Sequence, residues 1–484
     1  MYKFSSPPFE LFPTEEQKIL IHKHNGCCRY VWNWALGLKN DNWDQEKAKP
    51  KEERNLLSSE DISKKLPALK KEKPWLTEVN AQSLVSKIRD LDKAFKRFYD
   101  NCKKKVKGKK GYPRFKKFND QQSFQSQQSK KEKIVRCKKC ERQKRSTSGC
   151  KDCMRQTLSW RQNRIEDFGD GWGLLYVLKF KNGISIRLHK KIEGSVETVT
   201  IKTTKTGRYF ATICETREEN LPNKPEISLE RTLGIDDGLR RYITCDDGTF
   251  FENMKYLGKS IEKIKFLNKK LQKKRTRLFS TCQKCGFFKK GLKDAVKFWL
   301  CPKCNTERKL KDIYLSKKYN ELRIKLAKIH EKVAWQRNDY INKCTCELTT
   351  NDNFDTIAIQ RMNVSGLMKN RKLSRSIVDV SWSETYRQLK YKCNREGKNL
   401  IECDRFDATS KTCWTFLQDG SVCGYVKEDL TLADEKWNCP QCGANHDRDI
   451  NAANGVKICS LIKVGVLKSD LRPPIRLKIK SQSC

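Results

Sequence analysis

Two sets of residues in this chain could do chemistry: cysteines in closely spaced pairs, and aspartates at the ends of apolar segments. Of 23 cysteines, 12 fall into three quartets. These are Cys137, Cys140, Cys150 and Cys153; Cys282, Cys285, Cys301 and Cys304; and Cys413, Cys423, Cys439 and Cys442. A CxxC spacing lets two thiolates leave one tight turn toward a single tetrahedral ion, and a second pair closes the shell. Four sulfur ligands leave no open position, so the expected cofactor is structural Zn2+, at up to three sites. The third quartet is the irregular one, because Cys413 and Cys423 are ten residues apart. The remaining cysteines, Cys27, Cys28, Cys214 and Cys245 among them, read as small buried hydrophobes.

Among the acids, Asp236 in GIDDG closes an apolar segment and Asp449 in HDRDINAA opens a helix. An aspartate at a helix start is also an ordinary cap, so Asp449 alone would say little. The elements around the pair say more. From Arg231, TLGIDDGLRRYITCDDGTFFE reads as strand, turn, strand, tight Asp-Asp-Gly turn and strand. Two long charged helices follow, over 259–277 and 313–345, flanking the second quartet. A buried strand ends at Gln360, a helix covers 380–395, NLIECDRF forms another strand, and the last helix begins near Asp449. This order describes an α/β RNase H-like sheet, which gathers acids at strand ends to hold two Mg2+ ions. Those ions would activate water and stabilise the leaving oxygen of a phosphodiester. Asp237 and Asp447 are the adjacent second choices.

The rest of the chain supplies elements and charge. TEEQKILIHKHNGCCRYVWNWALGLK reads as an amphipathic helix capped by Thr14, and 80–101 as a second. Tyr30 and Trp32 are assigned to packing, with stacking on nucleic acid as the alternative. The 16 residues from Lys103 to Phe118 carry nine positive charges and no negative ones: Lys103, Lys104, Lys105, Lys107, Lys109, Lys110, Arg114, Lys116 and Lys117. Tyr112, Phe115 and Phe118 interleave with them, which suits phosphate contact combined with base stacking. Residues 121–131 read as a Gln/Ser-rich linker, and 172–215 alternate like the strands of a small β-barrel.

Composition sets the bounds. The chain has 484 residues, 103 Lys+Arg against 58 Asp+Glu, and a formal net charge of +45. An excess of that size calls for a polyanion, and nucleic acid is the obvious one. Eleven tryptophans and 10 % aromatic residues exclude a wholly disordered chain. The longest apolar run, WGLLYVLKF, is about half of a membrane span, so no membrane partner is expected. MYKFSSPPFELFP lacks a basic segment followed by an apolar one, which speaks against secretion.

Collinear motifs over nearly the whole chain resemble the TnpB family of RNA-guided nucleases and its eukaryotic and viral relatives, the Fanzors. LFPTEEQ…CCRYVWNWAL is similar to the family's opening helix, KPWLTEVNAQSLVSKIRDLDKAFKRFY to its second, and KKGYPRFKKF to its basic segment. GIDDGLRRYIT, SWSETYRQLKYK, ATSKTC, CPQCG and DRDINAANGV are similar to its later blocks. The resemblance implies a RuvC-like nuclease domain with zinc insertions, a helical recognition domain and a small β-barrel wedge domain. Its expected boundaries are 1–13 with 160–230 for the wedge, 14–120 for recognition, 121–159 for a linker with the first zinc knuckle, 231–410 for the nuclease core, 411–445 for a zinc-binding insertion, and 446–484 for the closing helix and basic tail. The implied partners are a guide RNA and target double-stranded DNA, with the protein a monomer inside the ribonucleoprotein. Sequence would then be read by base pairing, and the protein would read duplex shape. A nuclear location is expected from kinship and from basic clusters such as KKCERQKR and RLKIK.

One block departs from the family pattern. Where most TnpB proteins carry I-x-I-E-D-L-N-V, this chain has IAIQRMNV, so Gln360 takes the place of a catalytic glutamate. Gln is a weaker Mg2+ ligand than a carboxylate. Either the chain is a guided DNA binder that does not cut, or another acid compensates, as the Fanzor resemblance implies. Glu402 in the next strand is the expected substitute, with Asp404 two residues on as its competitor. The expected catalytic and Mg2+-holding set is therefore Asp236, Glu402 and Asp449, with Arg448 beside it on target-strand phosphate.

Overall fold

The structure is a computed structural model that describes residues 2–103, 111–118, 122–127, 134–136, 143–145, 163–218, 221–280, 282, 284–287, 298–309, 317–404, 407, 409–431, 433–468 and 471. The chain divides into two compact units, Met1–Asn220 and Leu221–Cys484.

In the first unit, strands β1 (Tyr2–Ser5) and β2 (Phe9–Phe12) lead into α1 (Glu15–Glu46), followed by α2 (Ser59–Glu72) and α3 (Ala81–Lys103). Thr14 and Gln17 cap α1 reciprocally, each side chain accepting from the other's backbone N–H at 3.3 and 3.1 Å. Next come β3 (Gln122–Gln127), a hairpin of β4 (Ile134–Arg136) and β5 (Gln143–Arg145), and then β6 (Arg164–Asp167), β7 (Trp172–Tyr176), β8 (Ile184–Arg187), β9 (Ser195–Thr203) and β10 (Tyr209–Arg217). Eight of these strands make one antiparallel sheet along the path β3-β9-β10-β2-β8-β7-β6, with β1 on β10. Among the described residues no pair joins β3 to β6, so the expected barrel is an open path here. Residues 122–127, whose Gln/Ser content suggests a linker, are strand β3, because Phe124 and Ser126 point inward and the strand pairs with β9 along its whole length. A core of Phe9, Ile21, Val31, Leu84, Ile88 and Phe124 joins the helices to this sheet.

The second unit centres on a five-stranded sheet. Strands β11 (Thr232–Asp237), β12 (Arg241–Cys245) and β13 (Phe250–Glu252) form an antiparallel meander. Helix α4 (Tyr256–Ser280), the short hairpin β14 (Phe298–Leu300) and β15 (Glu307–Lys309), and α5 (Lys317–Thr350) separate it from β16 (Thr356–Gln360). Helices α6 (Val364–Leu367), α7 (Ser374–Val380) and α8 (Trp382–Arg395) precede β17 (Asn399–Cys403). The zinc-type segment contributes β18 (Lys436–Asn438) and β19 (Asn445–Asp447) before α9 (Arg448–Lys463). The sheet order is β13-β12-β11-β16-β17, with β16 parallel to both neighbours.

Alternation along the three parallel strands sorts residues between two cores. Leu233, Ile235, Ile357 and Ile359 pack with Ile341 and Leu348 of α5 and Trp382 and Leu389 of α8. Ala358, Ile401 and Cys403 pack with Val456, Cys459 and Leu461 of α9. Gly234 is obligatory on the α9 face, since a Cβ there would lie 2.2 Å from the Ala453 carbonyl oxygen. No helix among the described residues is long and apolar enough to cross a membrane.

Candidate functional site: an acidic cluster beside a cysteine cluster

Period-2 alternation decides which acids can meet. Leu233 and Ile235 face α5 and α8, so Gly234 and Asp236 face α9. Ile235 pairs with Ile359, and Ile359 with Glu402. The next step along the three strands therefore sets Asp236, Gln360 and Cys403 on one face. Helix α9 starts at the same end of β11, and the Asp449 charge there acts on Asp236. Burial first, and the Asp449 charge second, push the Asp236 carboxyl up to about 7, while the Arg448 guanidinium opposes them. Arg448 donates to Asp449 Oδ1 through Nε at 3.1 Å and Nη2 at 2.9 Å, and reaches the Thr431 and Asp434 carbonyls.

Glu402 is not brought to this pair. It is exposed, between the buried Ile401 and Cys403, and faces the side opposite Asp236. A charge within a strand suggested function, but this strand lies at the sheet edge, where water solvates the carboxylate. Asp404 is also exposed and pairs with Lys463 at 2.7 Å. Asp237 belongs to the other face. Its carboxylate accepts from the Tyr386 hydroxyl at 2.6 Å, and burial raises it to about 7. Asp447 caps α9, accepting from the N–H groups of Asp449 and Ile450, and pairs with Arg241 at 3.2 Å.

Gln360 stands next to Asp236 and is anchored through its amide nitrogen, which donates to the carbonyls of Asp404 at 3.3 Å and Asp407 at 3.4 Å. That leaves its carbonyl oxygen as the donor it can offer a cation. Asp407, which no sequence motif marks, is a buried carboxylate in the same turn and accepts from the Asp404 N–H at 3.0 Å. A buried carboxylate such as Asp236, whose ionisation is resisted by burial and by the Asp449 charge, fits a hard divalent cation, which would restore it to the charged form.

Two of the three cysteine quartets are closed clusters in which all four sulfurs lie within 4.8 Å of one another. In Cys282, Cys285, Cys301 and Cys304 the cross-pair distances are 3.6 and 3.5 Å, and in Cys413, Cys423, Cys439 and Cys442 they are 3.6 and 3.7 Å. Ligands about 2.3 Å from a tetrahedral ion stand roughly 3.8 Å apart, so both clusters have the dimensions of a zinc shell. A left-handed residue follows each closing cysteine, Gly286 at φ 70°, Asn305 at φ 53° and Gly443 at φ 73°, which turns the chain back over the four sulfurs. The irregular pair works because Cys413 and Cys423 sit on facing strands of a small hairpin, with Cys413 N–H donating to the Tyr425 carbonyl and Cys423 N–H to that of Thr415. His446 joins this cluster, with Nε2 3.0 Å from Cys413 Sγ; its place four residues after Cys442 is the sequence signal that could have found it. The first quartet, Cys137, Cys140, Cys150 and Cys153, lies outside the described residues.

The cysteine cluster and the acids share a frame. Trp414, next to Cys413, donates Nε1–H to the Thr409 carbonyl, and its backbone N–H donates to the Asn451 side chain of α9. The indole lies where a Cβ at Gly455 would be, 2.4 Å from its nitrogen. Folding of the cysteine segment thereby sets where α9, and Asp449 with it, rests.

Comparison with known proteins gives this arrangement relatives. Residues 382–456, which carry α8, β17, the cysteine cluster and Asp449, match the Cas12f1-like TNB domain, and residues 8–48 match a helix-turn-helix domain of the IS605 type. The structure forms the latter region as a strand and one continuous helix, α1. A TnpB-like protein, L79 of Acanthamoeba polyphaga mimivirus, is 29 % identical over 170 residues, 34 % of this chain and 29 % of its own. The chain is thus similar to proteins of the TnpB/IS605 type. Two bacterial relatives span it almost completely. A protein of Streptomyces pristinaespiralis named putative RNA-guided DNA endonuclease is 27 % identical over 458 residues, 94 % of this chain and 88 % of its own. InsQ of Escherichia coli K12, of the same description, is 23 % identical over 475 residues, covering 94 % and 92 %.

Within this TnpB-type chain, the basic segment is described only in part. Lys103 ends α3, Arg114, Lys116 and Lys117 are placed, and Lys104, Lys105, Lys107, Lys109 and Lys110 lie outside the described residues. Helix α1 fastens the placed part. Trp32 donates Nε1–H to the Arg114 carbonyl at 3.0 Å, and Asn33 exchanges two hydrogen bonds with the Lys116 backbone at 3.0 and 2.7 Å. Trp32 is buried, so packing is its role, whereas Tyr112, Phe115 and Phe118 are at least half exposed.

Proposed function

We propose that this protein is an RNA-guided DNA endonuclease, binding a guide RNA and a target DNA duplex and hydrolysing phosphodiester bonds at the Asp236–Asp449 site. The observation that carries the reading is the convergence of Asp236 and Asp449 on one sheet face, in a TnpB-like chain whose near full-length relatives are named putative RNA-guided DNA endonucleases. The five-stranded order, an antiparallel meander followed by two parallel strands, supports an RNase H-like, RuvC-type core over 231–410 and 446–484. Residues 411–445 then form a zinc-binding insertion, 14–120 the recognition domain, and 1–13 with 160–230 the wedge.

Asp236, Asp449 and the Gln360 carbonyl would hold Mg2+, with Asp407 as the nearby buried carboxylate. Bound Mg2+ would supply water activation and charge neutralisation at the phosphate. The chain's own residues orient the donors. Asp447 caps α9 and fixes the Asp449 backbone, Arg448 holds the Asp449 carboxylate, and Tyr386 anchors β11 by donating to Asp237. Zn2+ in the two cysteine clusters would support this frame, and the similarity to a mimivirus TnpB-like protein favours the Fanzor branch and a nuclear location. Gln360 on the Asp236 face favours one second reading, a guided binder that does not cut. The test is incubation of the purified ribonucleoprotein with target DNA and Mg2+. Cleavage lost in Asp236→Asn supports the endonuclease; target bound and intact with the unaltered protein supports the binder.

A further inference from the structure

In the first unit, α1 carries an open cavity of about 480 Å³, within the range of about 300–1,000 Å³ that small-molecule sites occupy. Tyr30 and Trp75 form its wall, with ring centroids 5.0 Å apart and planes at 74°. Trp75 is 39 % exposed, a large aromatic surface left to solvent. Gly26 is at the floor. A Cβ there would meet nothing within 4 Å, so packing does not demand glycine, although glycine weakens a helix interior. Its effect is to open the helix backbone to whatever enters. Lys23, tethered to Glu78 at 2.5 Å, and Arg29 stand at the rim.

Arg29 also borders a second, smaller cleft on the adjacent strip of α1, with room for about 20 Å³. Lys87, Lys116 and Lys117 line it, and Asn25 closes it. Asn25 is 2 % exposed; its Nδ2 donates to Thr203 Oγ1 at 3.1 Å, and its Oδ1 accepts from no group among the described residues. A buried acceptor without a donor is costly, and a cleft of this size admits one hydroxyl-sized group. The edge-on aromatic pair, the Arg29 cation and the orphaned Asn25 acceptor thus border one stretch of α1.

We infer that the two clefts together seat a single unpaired nucleotide of a bound strand, its base against Tyr30 and Trp75 over Gly26, its phosphate at Arg29 and the lysine rim, and its sugar hydroxyl donating to Asn25 Oδ1. The orphaned acceptor selects ribose, whose 2′-hydroxyl is the donor deoxyribose lacks. This goes beyond the endonuclease reading and is read out without cleavage, so the two fail separately.

The test uses the full-length protein and fluorescence anisotropy with a labelled single-stranded uridine octamer and its deoxyuridine counterpart, over a salt series. Gly26→Leu fills the cavity on an open helix face, and Trp75→Ala removes the wall. Each is expected to weaken the ribo-octamer roughly tenfold with the salt slope unchanged, because the substitutions remove stacking and leave the phosphate partners in place. The unaltered protein is expected to bind the ribo-octamer several-fold more tightly than the deoxy one, and Asn25→Ala to erase that difference. Affinity within twofold of the unaltered protein in Gly26→Leu and Trp75→Ala, with unchanged melting temperatures, overturns the base seat. Equal ribo and deoxy binding by the unaltered protein overturns the sugar contact.

Discussion

Glu402 lies beside Ile359 in the parallel β16–β17 ladder, one residue out of step with the face that carries Asp236. The consequence is that the neighbour of Asp236 on its own face toward the parallel strands is Gln360, and the candidate acids divide into those that can share a cation and those that cannot.

Glu402→Gln should therefore leave target cleavage by the ribonucleoprotein within about twofold, while Asp236→Asn and Asp449→Asn reduce it by at least about 100-fold. Asp407→Asn should fall with the latter group, and Gln360→Glu should lower the Mg2+ concentration needed for half-maximal cutting. Cleavage rates on a labelled duplex decide it. Loss of activity in Glu402→Gln alone, with Asp407→Asn unaffected, would remove the face assignment.

Zinc content follows from the sulfur geometry. Metal analysis of purified protein should give at least two Zn2+ per chain, and Cys285→Ser and Cys439→Ser should each lower the content by one. Because Trp414 ties the second cluster to α9, Cys439→Ser should also lower the melting temperature more than Cys285→Ser. Equal losses would mean that the cluster and α9 are not coupled.

His24 makes the first unit sensitive to acid. It is wholly buried, its Nδ1–H donates to the Leu20 carbonyl at 2.9 Å, and its Nε2 accepts from the Asn80 N–H at 3.1 Å, an arrangement open only to the neutral ring. Burial pulls its pKa from 6.5 down to about 4. Between those values the unfolded chain binds the proton and the folded one does not, so stability is full above pH 6.5 and declines as pH falls toward 4. The contribution at stake by pH 5 is about 2 kcal/mol. Denaturant midpoints at pH 7 and pH 5 should separate by more in the unaltered protein than in His24→Gln, and an equal separation would refute the assignment.

Gly234→Ala tests the packing of α9. The added methyl meets a backbone carbonyl with no flexible side chain to yield, so it should destabilise the protein by about 2 kcal/mol or more. Gly26→Ala, in open space, should be neutral or stabilising in the same unfolding assay.

Lys116→Gln with Lys117→Gln should weaken RNA binding and flatten its salt dependence, by about 0.7 in log–log slope for each phosphate that is no longer neutralised. An unchanged slope would make the segment an ordinary solvated surface.

The linear chain carried everything that depends on local spacing. The CxxC pairs, the GIDDG strand end, the meander after Arg231 and the aromatic-interleaved basic run were legible because each is encoded within a few residues, by turn chemistry or by period. The third quartet was legible as four ligands, yet only the hairpin that folds Cys413 onto Cys423 explains how a ten-residue spacing closes a shell. Residues 122–127 looked like a linker because Gln and Ser carry no strand signal, and pairing with β9 overrode composition. The choice among acids was beyond the sequence altogether. Whether Glu402, Asp404 or Asp407 stands near Asp236 depends on strand register and on which helix covers which face. A shift of one residue sends every side chain to the other side, so sequence alone determined which residues could hold a metal, and only the assembled sheet decided which of them meet.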